Sequence, residues 1–203
     1  MANNESALKK RLFSPKEIKS LSSTYKSLTP SERIIQFYKD FKAEEIMVTS
    51  SFAATSALLL KYFSDINSDQ KIYFIDTGFH FPETLNYKKE LTRLYNLNVH
   101  SLGALTEEHE FKINDKSWQK NPDFCCHVNK VKPLEVIKNN YTVWVSGLME
   151  WQSDHRASLD IFEMRNNILK FYPLLDITKE ERKLIIASEK LPFHPLVFKG
   201  SMF

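Results

Sequence analysis

The 203-residue sequence is poor in glycine, with four in all, and in cysteine, with two that stand side by side. The serine-rich stretch "TSSFAATS" at residues 49–56 therefore lacks the glycines of a Walker or dinucleotide-binding loop. Neighbouring cysteines rarely bridge each other, because a disulfide wants its Cα atoms about 5 to 6 Å apart. A structural disulfide is not expected, and the pair is instead half of what a four-thiolate metal or iron–sulfur site would need.

Long apolar runs and a strong charge of one sign are also missing. No run approaches the ~20 residues of a membrane span, and no basic N-terminal stretch leads into an apolar one. The formal net charge of +3 falls short of the clustered basic excess of a duplex nucleic-acid binder. These absences favour a cytoplasmic protein with an anionic small-molecule partner, without a membrane or nucleic-acid role. The size and 42% hydrophobic content predict one domain over residues 1–203, with 1–28 as a peripheral N-terminal segment.

Short apolar runs alternate with amphipathic stretches along the chain. The apolar runs that predict strands lie at residues 44–51, 71–78, 97–103 and 141–147. Helical spacing and capping patterns predict helices at residues 28–42, 53–66, 82–96, 125–140 and 177–190. Thr29 and Thr178 are the predicted starts of the first and last of these helices, and Pro133 is expected to interrupt or start the fourth. Residues 102–122 are polar and charged without a clean periodicity, which predicts a loop that orders on binding. The pair Asn166 and Asn167 predicts a hairpin turn. The alternation predicts an α/β fold with a doubly wound, mainly parallel sheet.

Polar residues follow three of these predicted strands, where such a sheet binds its ligands. Ser50 and Ser51 end the first strand, and hydroxyls and N–H groups before the next helix could hold a phosphate. Asp76 and Gly78, in "DTG", end the second strand, and Asp76 could accept a hydrogen bond from a ribose or an adenine amine. Each motif could equally cap a turn, so both interpretations stay open.

Two cations are expected over the same crevice. Lys130 follows the cysteines by four residues, and Arg156 lies in the loop after the fourth strand, so the pair would suit phosphate or sulfate. The alternative is that both lie on a solvated face. A Cys-Cys-His zinc site with His127 is disfavoured, because neighbouring side chains point in different directions and the histidines lack the zinc-helix spacing.

Six segments together resemble the assimilatory adenylylsulfate (APS) and phosphoadenylylsulfate (PAPS) reductases, in the order and approximate spacing of that family. They cover nearly everything from residue 45 onward: "TSSFAATSALLL", "IYFIDTGFHFPETLNY", "CCHVNKVKPLEV", "VSGLMEWQSDHRA", "KFYPLLDIT" and "LPFHPLVFKG". The resemblance implies an adenine nucleotide alpha hydrolase-like fold. It also implies reduction of APS, less so PAPS, to sulfite and AMP in sulfate assimilation and cysteine biosynthesis. Thioredoxin or glutaredoxin would be the electron donor.

The resemblance also implies roles for particular residues. Cys125 and Cys126 would be two ligands of a [4Fe–4S] cluster, whose other two cysteines follow about eighty residues later in the family. The family's nucleophilic cysteine belongs to a C-terminal redox tail that we expect this sequence to lack, so no catalytic residue is assigned. The implied substrate-binding residues are Ser50, Ser51, Ser56, Asp76, Gly78, Lys130, Gly147 and Arg156.

Some positions depart from the family pattern. Ala53 stands where a glycine is common, and Met149 with Glu150 stands where many members have two arginines. The second departure removes positive charge and argues against a preference for the doubly phosphorylated nucleotide. Two alternatives stay open: a related PP-loop sulfurtransferase or phosphorothioation-type enzyme, which would release AMP and pyrophosphate from ATP, and a non-catalytic adenine nucleotide-binding protein. A homo-oligomer is compatible with each of them.

Overall fold

The computed structural model describes residues 11–104 and 116–199. Its strands are β1 (Ile46–Ser50), β2 (Lys71–Asp76), β3 (Asn98–Gly103), β4 (Val143–Val145), β5 (Phe162–Arg165) and β6 (Ile168–Phe171). Its α-helices are α1 (Pro15–Lys26), α2 (Pro30–Asp40), α3 (Ser56–Ile66), α4 (Pro82–Leu94), α5 (Ser117–Lys120), α6 (Pro122–Cys126), α7 (Lys132–Lys138), α8 (Asp154–Ala157) and α9 (Lys179–Ser188). A π-helix (His127–Val131) joins α6 to α7.

The strands form one sheet in the order β3-β2-β1-β4-β6-β5. Every neighbouring pair is parallel except β5 and β6. The chain moves outward from β1 through β2 to β3 and then returns to place β4 on the other side of β1. Connections leaving β1 and β4 therefore diverge, which opens a crevice at the carboxyl ends of these two strands. The predicted mainly parallel α/β sheet is confirmed.

Alternate strand residues face two apolar clusters of unequal size, because side chains along a strand point to opposite faces. Val48 and Phe74 face the larger cluster, which includes residues of α1 to α4. Met47 and Tyr73 face a small cluster that Ile137 of α7 partly covers. Helices thus pack on both faces of the sheet.

Helix α1 packs against the core through one face. Tyr25 is fully buried and packs edge-to-face on Phe162 and Phe171, with ring centroids 4.8 and 5.5 Å away. The Ser22 hydroxyl also accepts a 3.1 Å hydrogen bond from the Phe162 N–H. In the described part of the segment predicted to be peripheral, residues 11–28, Phe13, Ser22 and Tyr25 are buried while most other residues are exposed, so the peripheral placement of residues 1–28 stays a prediction. Residues 1–10 of this segment lie outside the described residues. The same holds for residues 105–115 and 200–203 of the single domain predicted over residues 1–203.

The predicted helix starts at Thr29 and Thr178 are confirmed. Each threonine hydroxyl accepts from the backbone of a glutamate three residues later, whose carboxylate accepts in return from the threonine N–H. That backbone hydrogen bond, helped by the threonine hydroxyl, lowers the pKa of Glu32 and of Glu181. In the part of the chain that the structure describes, no helix is long and apolar enough to cross a bilayer.

The predicted turn at Asn166 and Asn167 is also confirmed. β5 and β6 pair antiparallel, with Arg165 opposite Ile168. Both asparagines have positive φ, 52° and 59°, as a two-residue turn of type I′ requires. Asparagine tolerates this backbone better than most residues, which explains why the pair marks the turn.

The helix predicted at residues 125–140 is broken into three parts. Pro133 has no N–H to donate to the Asn129 carbonyl, so the regular ladder of helix bonds fails just before α7 begins. The Asn129 side chain instead donates a 2.9 Å hydrogen bond to the Cys125 carbonyl, and the backbone widens into the π-helix. The loop predicted at residues 102–122 lies partly outside the described residues, and its described end contains α5.

Candidate active site

A cleft of about 520 Å³ opens at the carboxyl ends of β1 and β4, where the strand order reverses. Six of the eight predicted substrate-binding residues line it: Ser50, Ser51, Ser56, Lys130, Gly147 and Arg156. The cleft lining also includes Thr77, which lies between the two remaining candidates, Asp76 and Gly78. The topology thus brings most of the predicted residues together, while their roles stay predictions.

The wall after β1 is a loop shaped by Phe52 rather than by glycine. Phe52 has a φ of 49°, a left-handed conformation that costs a bulky residue on the order of 1–3 kcal/mol. Full burial against Phe74, with ring centroids 5.7 Å apart, holds it there. The Phe52 N–H also donates a 3.1 Å hydrogen bond to the Ser50 hydroxyl. Burial of one aromatic ring thereby fixes a turn that places Ala53 and Ala54 at the cleft.

The first turn of α3 faces this cleft through Thr55 and Ser56. Thr55 takes the N-cap position of α3, but its side chain makes no capping hydrogen bond to the helix. Backbone N–H groups at a helix start carry partial positive charge and bind anions well. The end of β1 and the start of α3 therefore provide the geometry of a phosphate or sulfate site.

The "DTG" segment is organised as a turn. The Asp76 carboxylate accepts a 3.0 Å hydrogen bond from the Gly78 N–H. Gly78 has a φ of 73°, in the region where glycine is favoured because it has no Cβ. The capping interpretation that stood open for Asp76 therefore describes this structure, and a further contact of Asp76 with a nucleoside stays a prediction.

Within the described residues, the cleft lining contains two cations, Lys130 and Arg156, and no carboxylate. Among the described residues neither cation forms an ion pair. An Arg156 N–H donates to the Gln152 side-chain carbonyl, which also accepts a 3.0 Å hydrogen bond from the Met149 N–H. Gln152 therefore orients Arg156 without neutralising it. Positive charge left uncompensated in a cleft attracts an anionic ligand.

Met149 and Glu150 lie away from this cleft. Met149 is fully buried in the large core, and the exposed Glu150 donates its N–H to the Leu175 carbonyl over 2.8 Å. Neither residue lines the cleft. The change of charge at these two positions therefore falls outside the cleft lining, and the argument that it drew against a doubly phosphorylated nucleotide loses its basis.

Trp144 and Gly147 shape the β4 side of the cleft. The Trp144 indole N–H donates a 2.8 Å hydrogen bond to the Thr49 hydroxyl, and the Lys170 Nζ lies 2.8 Å from the indole ring centre. Burial, with help from nearby Arg165, lowers the pKa of Lys170 to about 7. A Cβ at Gly147 would lie 3.3 Å from a Leu59 methyl carbon, so glycine lets β4 approach α3 closely.

The two cysteines differ in solvent exposure. Cys125 is buried and Cys126 is exposed, and neither lines the cleft. Among the described residues no group of three His, Cys, Asp or Glu side chains is placed to hold a metal ion. Two cysteines in the whole sequence supply at most half of the four thiolates of a [4Fe–4S] cluster. Residues 1–203 alone therefore do not complete such a cluster.

His194 serves the fold rather than a metal. The Leu196 N–H donates a 3.2 Å hydrogen bond to its Nδ1, so Nε2 carries the proton and donates to the Thr84 hydroxyl 3.1 Å away. Burial lowers the pKa of His194, in keeping with this neutral form. The histidine thereby ties the segment after α9 to α4.

The structure adds cleft residues that the sequence did not suggest, among them Thr49, Thr77, His80, Trp144 and Gln152. Gln152 precedes Arg156 by four residues, but the extended Ser153 separates them, so no helical spacing marked it. The others follow from strand register and turn geometry, for which the local sequence has no distinctive pattern.

Comparisons with known proteins agree with this arrangement. A family model described as the phosphoadenosine phosphosulfate reductase domain matches residues 45–202. The phosphoadenosine 5'-phosphosulfate reductase of Vibrio cholerae is 32% identical over 181 residues, covering 86% of this chain and 71% of the relative. The adenosine 5'-phosphosulfate reductase of Bacillus thuringiensis is 33% identical over 164 residues, covering 78% and 70%.

Solved structures show the same fold. A crystal structure of phosphoadenylyl-sulfate reductase from Candida auris, in complex with phosphate, matches with a TM-score of 0.80 and 24% identity over 94% of each chain. The FMN adenylyltransferase of Candida glabrata matches with a TM-score of 0.58 and 14% identity over 92% of this chain and 62% of that one. The predicted adenine nucleotide alpha hydrolase-like fold is thereby confirmed.

Proposed function

This chain belongs to the phosphoadenosine phosphosulfate reductase family, and from that premise we propose that its cleft binds a sulfonucleotide for reduction to sulfite and AMP. The observation that carries the proposal is the cleft itself. It lies at the point where the strand order reverses, it faces the start of α3, and its lining, as far as the chain is described, contains Lys130 and Arg156 without a carboxylate. A phosphosulfate group is the anion that this combination suits.

The cleft residues would act mainly on the leaving phosphate. When the sulfur–oxygen bond of the substrate breaks, its electrons stay on the phosphate oxygen of AMP, where negative charge builds. Lys130, Arg156 and the N–H groups at the start of α3 are placed to stabilise that charge. We propose that they lower the barrier in this way, because fixed charges and dipoles need no reorganisation as the reaction proceeds.

The attacking thiolate is proposed to come from outside residues 1–203. Cys125 and Cys126 do not line the cleft, so neither is assigned as the nucleophile. In the proposed route a cysteine thiolate attacks the sulfur of the substrate, AMP leaves, and an S-sulfocysteine forms. A reduced dithiol donor, thioredoxin or glutaredoxin, then releases sulfite and becomes a disulfide. This chemistry accords with a reducing, cytoplasmic location, which stays a proposal, as does a homo-oligomer.

APS is the proposed substrate in preference to PAPS. The support is the adjacent cysteine pair, which accompanies APS use in the family that the sequence resembles. Met149 and Glu150 no longer contribute to this choice, since they lie outside the cleft lining. A comparison of AMP with adenosine 3',5'-bisphosphate, the products expected from APS and PAPS, tests it directly.

The experiment is calorimetric titration of the folded protein with AMP, adenosine 3',5'-bisphosphate and adenosine. We expect AMP to bind with micromolar affinity, the bisphosphate no more tightly than AMP, and adenosine at least about tenfold more weakly, because it lacks the anion. Failure of AMP to bind to folded protein would overturn the proposal. Release of AMP and pyrophosphate from ATP would instead indicate the PP-loop alternative.

We propose Cys125 and Cys126 as two of the four ligands of a [4Fe–4S] cluster. The measurement is iron per chain, with visible absorbance, after anaerobic reconstitution of the protein as its organism makes it. Cys125→Ser and Cys126→Ser should each lose iron, because serine is a poor substitute for a thiolate ligand. His127→Asn is the matched neighbour and should keep it. Iron retained in both serine variants would contradict the assignment.

A further inference from the structure

Arg182 of α9 contacts the loop at the cleft from behind. Its Nη2 donates a 2.8 Å hydrogen bond to the carbonyl of Ala54, 128 residues earlier in the chain. Ala54 lines the cleft and Arg182 does not. The guanidinium therefore supports the loop on the side that the ligand would not occupy.

This contact fixes the orientation of one peptide unit. The C=O and N–H groups of a trans peptide point in opposite directions, and the described residues contain no cis peptide bond. Because the Ala54 carbonyl points to Arg182, the N–H of Thr55 points away from it. Thr55 lines the cleft, so an N–H that points away from Arg182 could face an anion bound there, next to the start of α3.

The charge of Arg182 is not offset nearby. Among the described residues it forms no ion pair, and its Nε is buried without a hydrogen-bond partner. Burial lowers the pKa of this guanidinium, but arginine remains protonated in proteins. A partly buried cation that forms no ion pair among the described residues is unfavourable. An anion bound across the loop would offset part of that cost.

We propose that Arg182 is a positioning residue for the anionic group of the ligand, because it holds the Ala54–Thr55 peptide with its N–H toward the cleft and places a positive charge behind the loop. The inference rests on the proposed function. It differs from a purely structural role for Arg182, because a tie between α9 and the loop would affect a charged ligand and its uncharged analogue alike.

The test measures the dissociation constants of AMP and adenosine for the wild type, Arg182→Gln and Arg182→Lys. Glutamine keeps an amide donor but removes the charge, and lysine keeps the charge. We expect Arg182→Gln to weaken AMP about tenfold while adenosine changes by less than about twofold. Arg182→Lys should recover a substantial part of the loss. Lys183→Met, at the next and exposed position of α9, should leave both constants unchanged.

The outcomes separate the two proposals. If the wild type does not bind AMP, the proposed function fails, and this inference fails with it. If the wild type binds AMP but the ratio of its AMP and adenosine constants is the same in both Arg182 variants, only the inference fails. Thermal unfolding of each variant is recorded alongside, and should Arg182→Gln not fold, Arg182→Met, which also removes the charge, is measured in its place and judged by the same change in ratio.

Discussion

Replacing Arg33 with methionine should lower the free energy of unfolding by about 3–5 kcal/mol. The Arg33 side chain is 2% exposed, and its Nη1 and Nη2 each lie 2.6 Å from an oxygen of Asp176. Its remaining hydrogen bonds go to backbone carbonyls, those of Tyr25, Lys26 and Pro173, at 2.8, 3.5 and 3.0 Å. All of its donor groups are therefore used, and methionine would leave each of these acceptors without its partner.

The location of Arg33 explains why the loss should be large. The guanidinium joins the end of α1 and the start of α2 to the segment after β6. Arg33 and Asp176 are 143 residues apart in the chain. Since domains are stable by only about 5–15 kcal/mol, one such substitution would remove a large share of the total. Urea unfolding measures it, with the exposed Arg93→Met as a control expected within about 0.5 kcal/mol of the wild type.

A second variant separates the ion pair from the backbone contacts. Arg33→Met with Asp176→Leu removes both charges and should recover part of the stability, because no carboxylate is left unpaired. Recovery should be incomplete, since the carbonyls of Tyr25, Lys26 and Pro173 still lose the hydrogen bonds of the guanidinium. A loss of less than about 1 kcal/mol in Arg33→Met alone would show that the contact is not the anchor that its geometry indicates.

The loss of folding stability at low pH offers an independent check of the Arg33–Asp176 contact. Burial works to raise the pKa of Asp176, but the hydrogen bonds and charge of Arg33 outweigh it and hold this pKa below its usual value. A carboxyl with a lowered folded pKa stabilises the protein above its unfolded pKa, about 3.9. That stability is lost as the pH falls through the folded pKa. Arg33→Met should therefore show a shallower loss of stability in acid than the wild type.

Most of the sheet could be predicted from the sequence because its signals are local. Each parallel strand is a short apolar run that ends in turn residues, and the Thr29 and Thr178 helix starts carry both halves of a capping box. The Asn166–Asn167 turn is equally local. Helix α1 could not be placed in this way, because it contributes few apolar side chains and belongs to the core mainly through Tyr25.

Strand ends supply the part of the candidate site that the parallel-sheet rule predicts. Ser50, Ser51 and Gly147 lie where the order of elements indicates, so the parallel-sheet rule was enough to bring them together. Phe52 and Arg182 depend on distant contacts, with Phe74 and Ala54 respectively, that no local pattern encodes. Residues that orient a site from behind are the part that only the three-dimensional structure reveals.

Arg156→Met should weaken binding of AMP by about 10- to 100-fold, as expected from the loss of a charge-assisted interaction of about 1.5–3 kcal/mol. Arg156 lines the cleft, and Gln152 orients it without cancelling its charge. Adenosine lacks the phosphate, so its affinity should change by less than about twofold. Calorimetric titration measures both constants, and Arg93→Met, an exposed cation outside the cleft lining, controls for the general loss of one positive charge.

Gln152→Glu tests the same charge without removing it. A carboxylate at this position would accept the Arg156 N–H as the amide oxygen does, but it would neutralise the guanidinium. We therefore expect weaker AMP binding in Gln152→Glu although Arg156 is intact, together with a smaller dependence of the AMP affinity on salt, because fewer uncompensated charges face the ligand. If Arg156→Met and Gln152→Glu both bind AMP as the wild type does, the anion must bind elsewhere, and Lys130 with the start of α3 becomes the place to look.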